Sequence, residues 1–252
     1  RSCRSYNNRI CYYFWMRSYF VSDIHLSNKN KALSGAFINF LNEIKESCSQ
    51  LFILGDLFEI WIGDDDDSEY INTIKSELLK FTNNGPDTFF MHGNRDFLIG
   101  EQFSKETGIK ILSDPHQIEI NTKKILLSHG DALCIDDVDY INFRNKVRDK
   151  NWQVEFLSKP ADERRNVASN IKNESNIASE KKSMDITDVN EEAIQELINK
   201  YSADFLIHGH THRPNIHENQ SSKRIVLGDW DDFGWYFWMD EDSYNLEKFS
   251  IT

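Results

Sequence analysis

Five short polar clusters hold the residues of this chain best able to do chemistry. They are Asp23-Ile-His25, Gly55-Asp56, Gly93-Asn94-Arg95-Asp96, His129-Gly130-Asp131 and Gly209-His210-Thr211-His212. Their carboxylates, amide and imidazoles are all metal-capable, and each cluster follows an apolar run. In layered α/β sheets, sites form beyond the carboxyl ends of the strands, so loops in these places can converge. Residues at i and i+2 both reach one centre when the chain turns as it leaves a strand. A neighbouring glycine lets backbone approach without a side-chain clash. Taken singly, Asp-x-His, Gly-Asp and His-Gly-Asp are ordinary turn chemistry. Two imidazoles two apart, as in Gly-His-Thr-His, are a stronger signal. Five such pieces in this order point to one shared site.

The elements that must position these clusters are legible as apolar periodicity. A first strand runs from Arg17 to Asp23. Phe37, Phe40, Leu41 and Ile44 then recur at helical spacing, with Ser34 as the expected N-cap. Leu51 to Asp56 reads as a buried strand stopped by Gly-Asp. A second helix is expected over 70–81, and another strand from Thr88 to His92. HQIEI and KILLSHG flank a hairpin turn at Asn121-Thr122. From about 136 to 186 the chain becomes polar and basic, yet Phe143, Trp152, Phe156 and Leu157 interrupt it, so a helical insertion is expected rather than a linker. Asp188 and Glu191 suit a capping box for a helix with Ile194, Leu197, Ile198 and Tyr201 inside. The strands DFLIHG, RIVLGDW, WYFWM and LEKFSI complete the pattern, with no internal repeat.

Length and charge narrow the class of function. A chain of 252 residues can bury a sizeable core in one domain. Lys and Arg total 29 against 41 Asp and Glu, a net charge of -12, which argues against a nucleic-acid coat protein. Cys3, Cys11, Cys48 and Cys134 form no paired motif, which points to a reducing compartment. No run reaches the roughly 18–20 apolar residues of a spanning helix. Residues 1–15 lack a convincing signal-peptide core, and Met16 is the expected natural start, with 1–15 a non-native or disordered extension.

The succession DxH, GD, GN, H and GHxH resembles the calcineurin-like metallophosphoesterases, and the resemblance covers nearly everything from Met16 onward. It implies an α/β fold, a two-sheet β-sandwich flanked by helices in four layers, over 16–252, with the helical insertion as a lid. It also implies a two-metal site. Asp23, His25 and His212 would hold one ion, and Asn94, His129 and His210 the other, with Asp56 bridging. Asp56, Asn94, Arg95 and His210 would be catalytic. His92 and His208 match no family ligand and are expected to be structural. Such nitrogen-rich donors suit manganese, zinc, iron or cobalt, and manganese is the expected cofactor. Two divalent cations outweigh both aspartates and a bridging hydroxide, leaving a site that accepts phosphate.

Arg95 stands where the general family has histidine, which makes it a poor general acid and a strong phosphate clamp. GNRDF, HGDALCIDD and LIHGHTHRP resemble the subfamily of UDP-2,3-diacylglucosamine pyrophosphohydrolases of lipid A biosynthesis. That resemblance implies attack of a metal-bound hydroxide on the α-phosphorus of an acylated UDP-sugar. Substrate contacts would come from Asn94, Arg95, His210, Asp137, Lys172, Ser175, Ser179 and Lys182. Ser179 departs from the subfamily asparagine and could keep one hydrogen bond where the amide makes two. The expected setting is a monomer in the cytoplasm, held peripherally at the inner membrane, with no nucleic-acid partner. Cys134 is expected to be buried and structural, and the run Asp64 to Asp67 a solvated turn. Two other readings use the same scaffold: a nucleotide or nucleic-acid phosphodiesterase, and a non-catalytic interaction scaffold.

Overall fold

The computed structural model describes residues 16–83, 85–180, 186–219 and 222–251, and for 174–180 the backbone alone. The expected extension 1–15 lies outside the described residues. Two mixed sheets face each other. The first has the order β11-β10-β1-β2-β3-β4, built from Tyr244–Ser250, Phe233–Met239, Arg17–Val21, Cys48–Leu54, Asp87–Met91 and Lys110–Leu112. The second has the order β5-β6-β7-β9-β8, built from His116–Ile120, Lys123–Leu127, Phe205–His208, Lys223–Val226 and Asn215–Glu218.

Period-2 alternation sends each strand's residues into two different cores. Phe20, Phe52, Leu54 and Met91 point between the sheets and meet Ile125, Leu127, Ile207 and Ile225 from the other side. Their neighbours Tyr19, Val21, Leu51, Ile53 and Phe90 point outward, against α1 (Lys31–Ile44) and α2 (Glu69–Thr82). Across β1, β2 and β3 the in-register pairs Phe20–Phe52 and Phe52–Phe89 stack at 5.0 and 4.9 Å between ring centroids. On the far face of the second sheet, Leu126 and Leu206 pack with Ile194 and Ile198 of α7 (Glu191–Tyr201). The layers are therefore helix, sheet, sheet, helix, as the resemblance implied.

Local caps differ from the sequence expectation. Helix α1 begins at Lys31 because the Asn30 side chain accepts the Leu33 N–H at 3.1 Å; Ser34 lies inside the first turn. At α7, Asn190 caps by accepting from Ala193 at 3.1 Å, while Asp188 pairs with Arg213. An asparagine one residue from the helix reaches its N–H groups, and Asp188 stands too early to do so. The hairpin turn is where it was expected, with Asn121 and Thr122 both left-handed at φ 45 and 64.

Between β6 and α7 the chain forms a short 3-10 turn at Asp131–Leu133, then α4 (Val138–Arg148), α5 (Lys150–Leu157) and α6 (Ala161–Glu180). The remaining helix, α3, spans Glu101–Thr107 and follows the Gly93 cluster. The acidic run 64–67 is not a merely solvated turn. Asp64 accepts the N–H groups of Gly100 and Phe103 at 2.9 and 3.0 Å, holding the start of α3. Asp65 pairs with Arg164 of α6, and Asp66 with Arg165 at 3.3 Å. The run thus fastens the helical insertion to the body. No helix among the described residues is long and apolar enough to cross a membrane.

Candidate metal centre

All five clusters lie beyond the carboxyl ends of strands: β1, β2 and β3 in one sheet, β6 and β7 in the other. The backbone there is bent to aim side chains. Asp23, His25, Asp56, His210 and His212 all have φ between 52 and 69, left-handed values that cost a non-glycine residue free energy. Five of the eight non-glycine residues with positive φ among the described residues are therefore expected metal ligands. Such strain persists only where surrounding contacts enforce it. Here the Asp23 N–H donates to the Gly55 carbonyl at 3.1 Å, and the His25 N–H to Asp56 at 2.9 Å. The two sheets are joined by the His210 N–H, which donates to Asp23 Oδ2 at 2.9 Å.

The donors fall into two adjoining groups. His25 Nε2 and His212 Nε2 are 3.5 Å apart, and the latter is 3.3 Å from Asp23 Oδ1. Asp23, Asp56 and His129 form a second group whose ligand atoms all lie within 4.8 Å of one another. Asn94 Oδ1 faces His129 Nε2 at 3.0 Å and His210 Nδ1 at 2.9 Å. His129 Nδ1 lies 2.8 Å from the Leu54 carbonyl and donates to it, which leaves Nε2, facing Asn94, as the nitrogen that would take an ion. Lone pairs of oxygen and nitrogen gathered around one space are the arrangement a cation requires.

Electrostatics make the same demand. Burial opposes charge on His129, yet the carboxylates of Asp56, Asp23 and Asp131 outweigh it and push the imidazole up to about 9. His212 rises to about 9 for like reasons, burial being overcome by its hydrogen bond to Asp23. His210, buried and repelled by His129, falls to about 3. Without an ion, the carboxylates draw protons onto two imidazoles. The residues present therefore fit divalent metal, which would supply that positive charge.

Outer contacts hold the inner ones, and these are the residues that sequence reasoning missed. Asp96, fully buried, accepts the N–H groups of Asp56, Leu57, Phe58 and Gly93 at 3.2, 2.7, 3.3 and 2.9 Å. One carboxylate thus ties the Gly-Asp loop to the Gly-Asn loop. Asp229 Oδ2 lies 3.4 Å from His212 Nδ1, and Glu59 Oε2 lies 3.5 Å from His25 Nδ1. Asp131 accepts from Tyr140 Oη at 2.8 Å and Arg144 Nε at 2.7 Å, which fixes α4 to the His129 loop. The Tyr140 ring lies 5.7 Å from that of His210. Only Asp96 and Asp131 carried a signal, as members of the clusters themselves.

Other expected residues are placed as follows. The Arg95 N–H donates to Asp56 Oδ1 at 2.8 Å, so Arg95 stands at the centre. Asp137 caps α4, accepting from Tyr140 N at 3.0 Å. Lys172 on α6 reaches Glu59 at 2.6 Å. Ser175 and Ser179 lie on α6 with only their backbone described, and Lys182 lies outside the described residues. His92 Nε2 meets the Ile99 carbonyl at 2.7 Å, and His208 is wholly buried with Nδ1 3.0 Å from the Gly209 carbonyl. Cys134 is buried.

Comparison with known proteins fits this geometry. The sequence profile described as calcineurin-like phosphoesterase matches residues 16–214. A UDP-2,3-diacylglucosamine hydrolase of Haemophilus influenzae is 47% identical over 214 residues, covering 84% of this chain and 90% of that protein. Another, from Ectopseudomonas mendocina, is 39% identical over 236 residues, covering 92% and 98%. Among solved structures, an archaeal phosphodiesterase shares the fold with a TM-score of 0.50 at 15% identity, covering 93% of this chain and 100% of that one.

Proposed function

Because this chain belongs to the calcineurin-like phosphoesterase family, we propose that it hydrolyses the pyrophosphate of UDP-2,3-diacylglucosamine in lipid A biosynthesis. The products would be UMP and 2,3-diacylglucosamine 1-phosphate. The observation that carries the reading is the convergence of seven metal-capable side chains from five loops, in a chain whose relatives of that name are similar along most of its length.

Asp23, His25 and His212 would hold one ion, Asn94, His129 and His210 a second, with Asp56 between them. Divalent ions there, manganese foremost, would lower the pKa of a water and offset the charge of the pyrophosphate. The chain's own residues supply orientation. Asp56 is kept from swinging by the Arg95 N–H, and its loop by Asp96. The guanidinium of Arg95 offers a planar fork of donors to a phosphate oxygen. Asn94 and His210 would align the α-phosphate.

Water adds to the α-phosphorus and gives up a proton to solvent, the bond from that phosphorus to the bridging oxygen breaks, and the electron pair leaves with the sugar 1-phosphate. A phosphate monoester with a second pKa of about 6 leaves readily as the anion. No general acid is then needed, which suits arginine where a histidine would donate a proton.

Helices α4 to α6 would act as the lid. Asp137, Lys172, Ser175, Ser179 and Lys182 are suited by type and position to sugar and phosphate contacts. Val138, Val154 and Leu157, all exposed, would face acyl chains or lipid. We place the chain, as a monomer, peripherally on the cytoplasmic face of the inner membrane. Hydrolysis of UDP-2,3-diacylglucosamine in ¹⁸O-water tests the reaction. The label is expected in UMP; label in the sugar phosphate, or no cleavage beside cleavage of a simple aryl phosphodiester, would refute it.

A further inference from the structure

Glu59 touches both halves of the site. It follows β2 and is pinned beside the Asp23 loop, its N–H donating to the Leu26 carbonyl at 3.1 Å, next to a bridge between Leu26 and Phe58. Its side chain is mostly buried. Oε2 stands 3.5 Å from His25 Nδ1, a buried nitrogen with no closer hydrogen-bond partner. Oε1 stands 2.6 Å from Lys172 Nζ on α6. The two oxygens therefore serve two different elements.

We propose that Glu59 is a positioning residue that couples the lid to the metal centre: one oxygen orients His25 while the other anchors α6 through Lys172. The inference rests on the two-ion reading above. A carboxylate behind a ligating imidazole fixes the ring and its tautomer, leaving the opposite nitrogen for the ion. His212 has the same arrangement with Asp229 at 3.4 Å, so both imidazoles present Nε2 inward. Glu59 differs because its other oxygen holds a helix of the insertion.

A single carboxylate shared in this way links two equilibria. An ion on Nε2 makes the Nδ1 proton a better donor and draws the Glu59 charge toward His25. An anionic substrate that attracts Lys172 frees the same carboxylate for the ring. Lid position and ion affinity then influence each other reciprocally.

The test uses the full chain stripped with chelator, titrated with Mn²⁺ by calorimetry, with hydrogen exchange followed along α6. Glu59→Gln is expected to weaken Mn²⁺ binding about 10–100-fold and to speed exchange in α6. Lys172→Met should speed exchange in α6 alike and tighten Mn²⁺ binding about fivefold or more, since the carboxylate it releases is left to His25. Asp229→Asn should weaken the ion and leave α6 protected, which separates coupling from general loosening. If Glu59→Gln does not fold, the Lys172→Met and Asp229→Asn pair still decides the lid half. Wild type binding two ions and Glu59→Gln binding them equally well would overturn this inference alone. Unchanged α6 exchange in Lys172→Met would overturn it too. Wild type taking up no Mn²⁺ would overturn the two-ion reading and this inference together.

Discussion

A β-carbon at Gly93 would lie 2.0 Å from Oδ1 of Asp56 and 2.3 Å from its backbone nitrogen. The Gly-Asp and Gly-Asn loops are packed more closely than any side chain between them permits. Gly93→Ala must therefore displace Asp56. We expect a stability cost of about 1–3 kcal/mol from overpacking and a loss of activity of about 100-fold or more, since misplacement by an ångström has that effect. Steady-state rates and thermal melting of the purified variant check both; a rate within threefold of wild type would contradict the account.

Asp96 is the other constraint on those loops. Asp96→Asn keeps the size but turns one acceptor oxygen into a donor facing backbone N–H groups. Each orphaned N–H costs about 1–3 kcal/mol, which for a chain of this size lowers Tm by roughly 3–10 °C. Calorimetry reads it. Equal Tm would mean that the four contacts from Asp56, Leu57, Phe58 and Gly93 are not holding the loops.

Much of this was legible in the sequence because it is local. Apolar runs such as LFIL end in a polar pair, and that alone places Asp56 at a strand terminus. The roles of Asp64, Glu59 and Asp229 are not local. Asp64 reaches α3 from 36 residues away, and Glu59 meets Lys172 only once the insertion has folded back. No spacing rule sees such pairs. Strands β4 and β8 escaped because three or four residues carry too little periodicity. Caps were misassigned at Ser34 and at Asp188 with Glu191, since neighbouring Asn30 and Asn190 serve as well and the backbone decides between them.

The insertion is clamped at its other end by Arg164. Nη1 donates to the Ile62 carbonyl at 2.6 Å and to Asp65 at 2.7 Å. Asp65 is itself largely exposed, so the ion pair contributes modestly; the buried Ile62 carbonyl loses its partner outright. Arg164→Met is expected to open α6 to protease at least several-fold faster while the body of the fold stays resistant. Cleavage elsewhere first would show that α6 is not the element Arg164 holds.

Burial pushes the thiols of Cys48 and Cys134 up to about 12, with nearby Asp131 adding to the effect at Cys134. Because the folded values are raised, their contribution to stability is fully present below the ordinary value near 9 and is lost as pH rises toward 12. Denaturant midpoints should therefore fall above pH 9, and less so in a Cys48→Ala, Cys134→Ala variant. In a Cys3→Ser, Cys11→Ser background, a thiol reagent at pH 8 should label the native chain slowly and the unfolded chain at both remaining cysteines. Fast native labelling would contradict the burial.

UMP release from UDP-2,3-diacylglucosamine by protein stripped of metal, before and after Mn²⁺ is returned, reports whether the seven side chains hydrolyse the pyrophosphate through bound ions. No release is expected under chelator, with recovery as about two ions per chain are taken up and none in Asp56→Ala. Undiminished release under chelator, or full recovery without the Asp56 carboxylate, would contradict hydrolysis through bound ions.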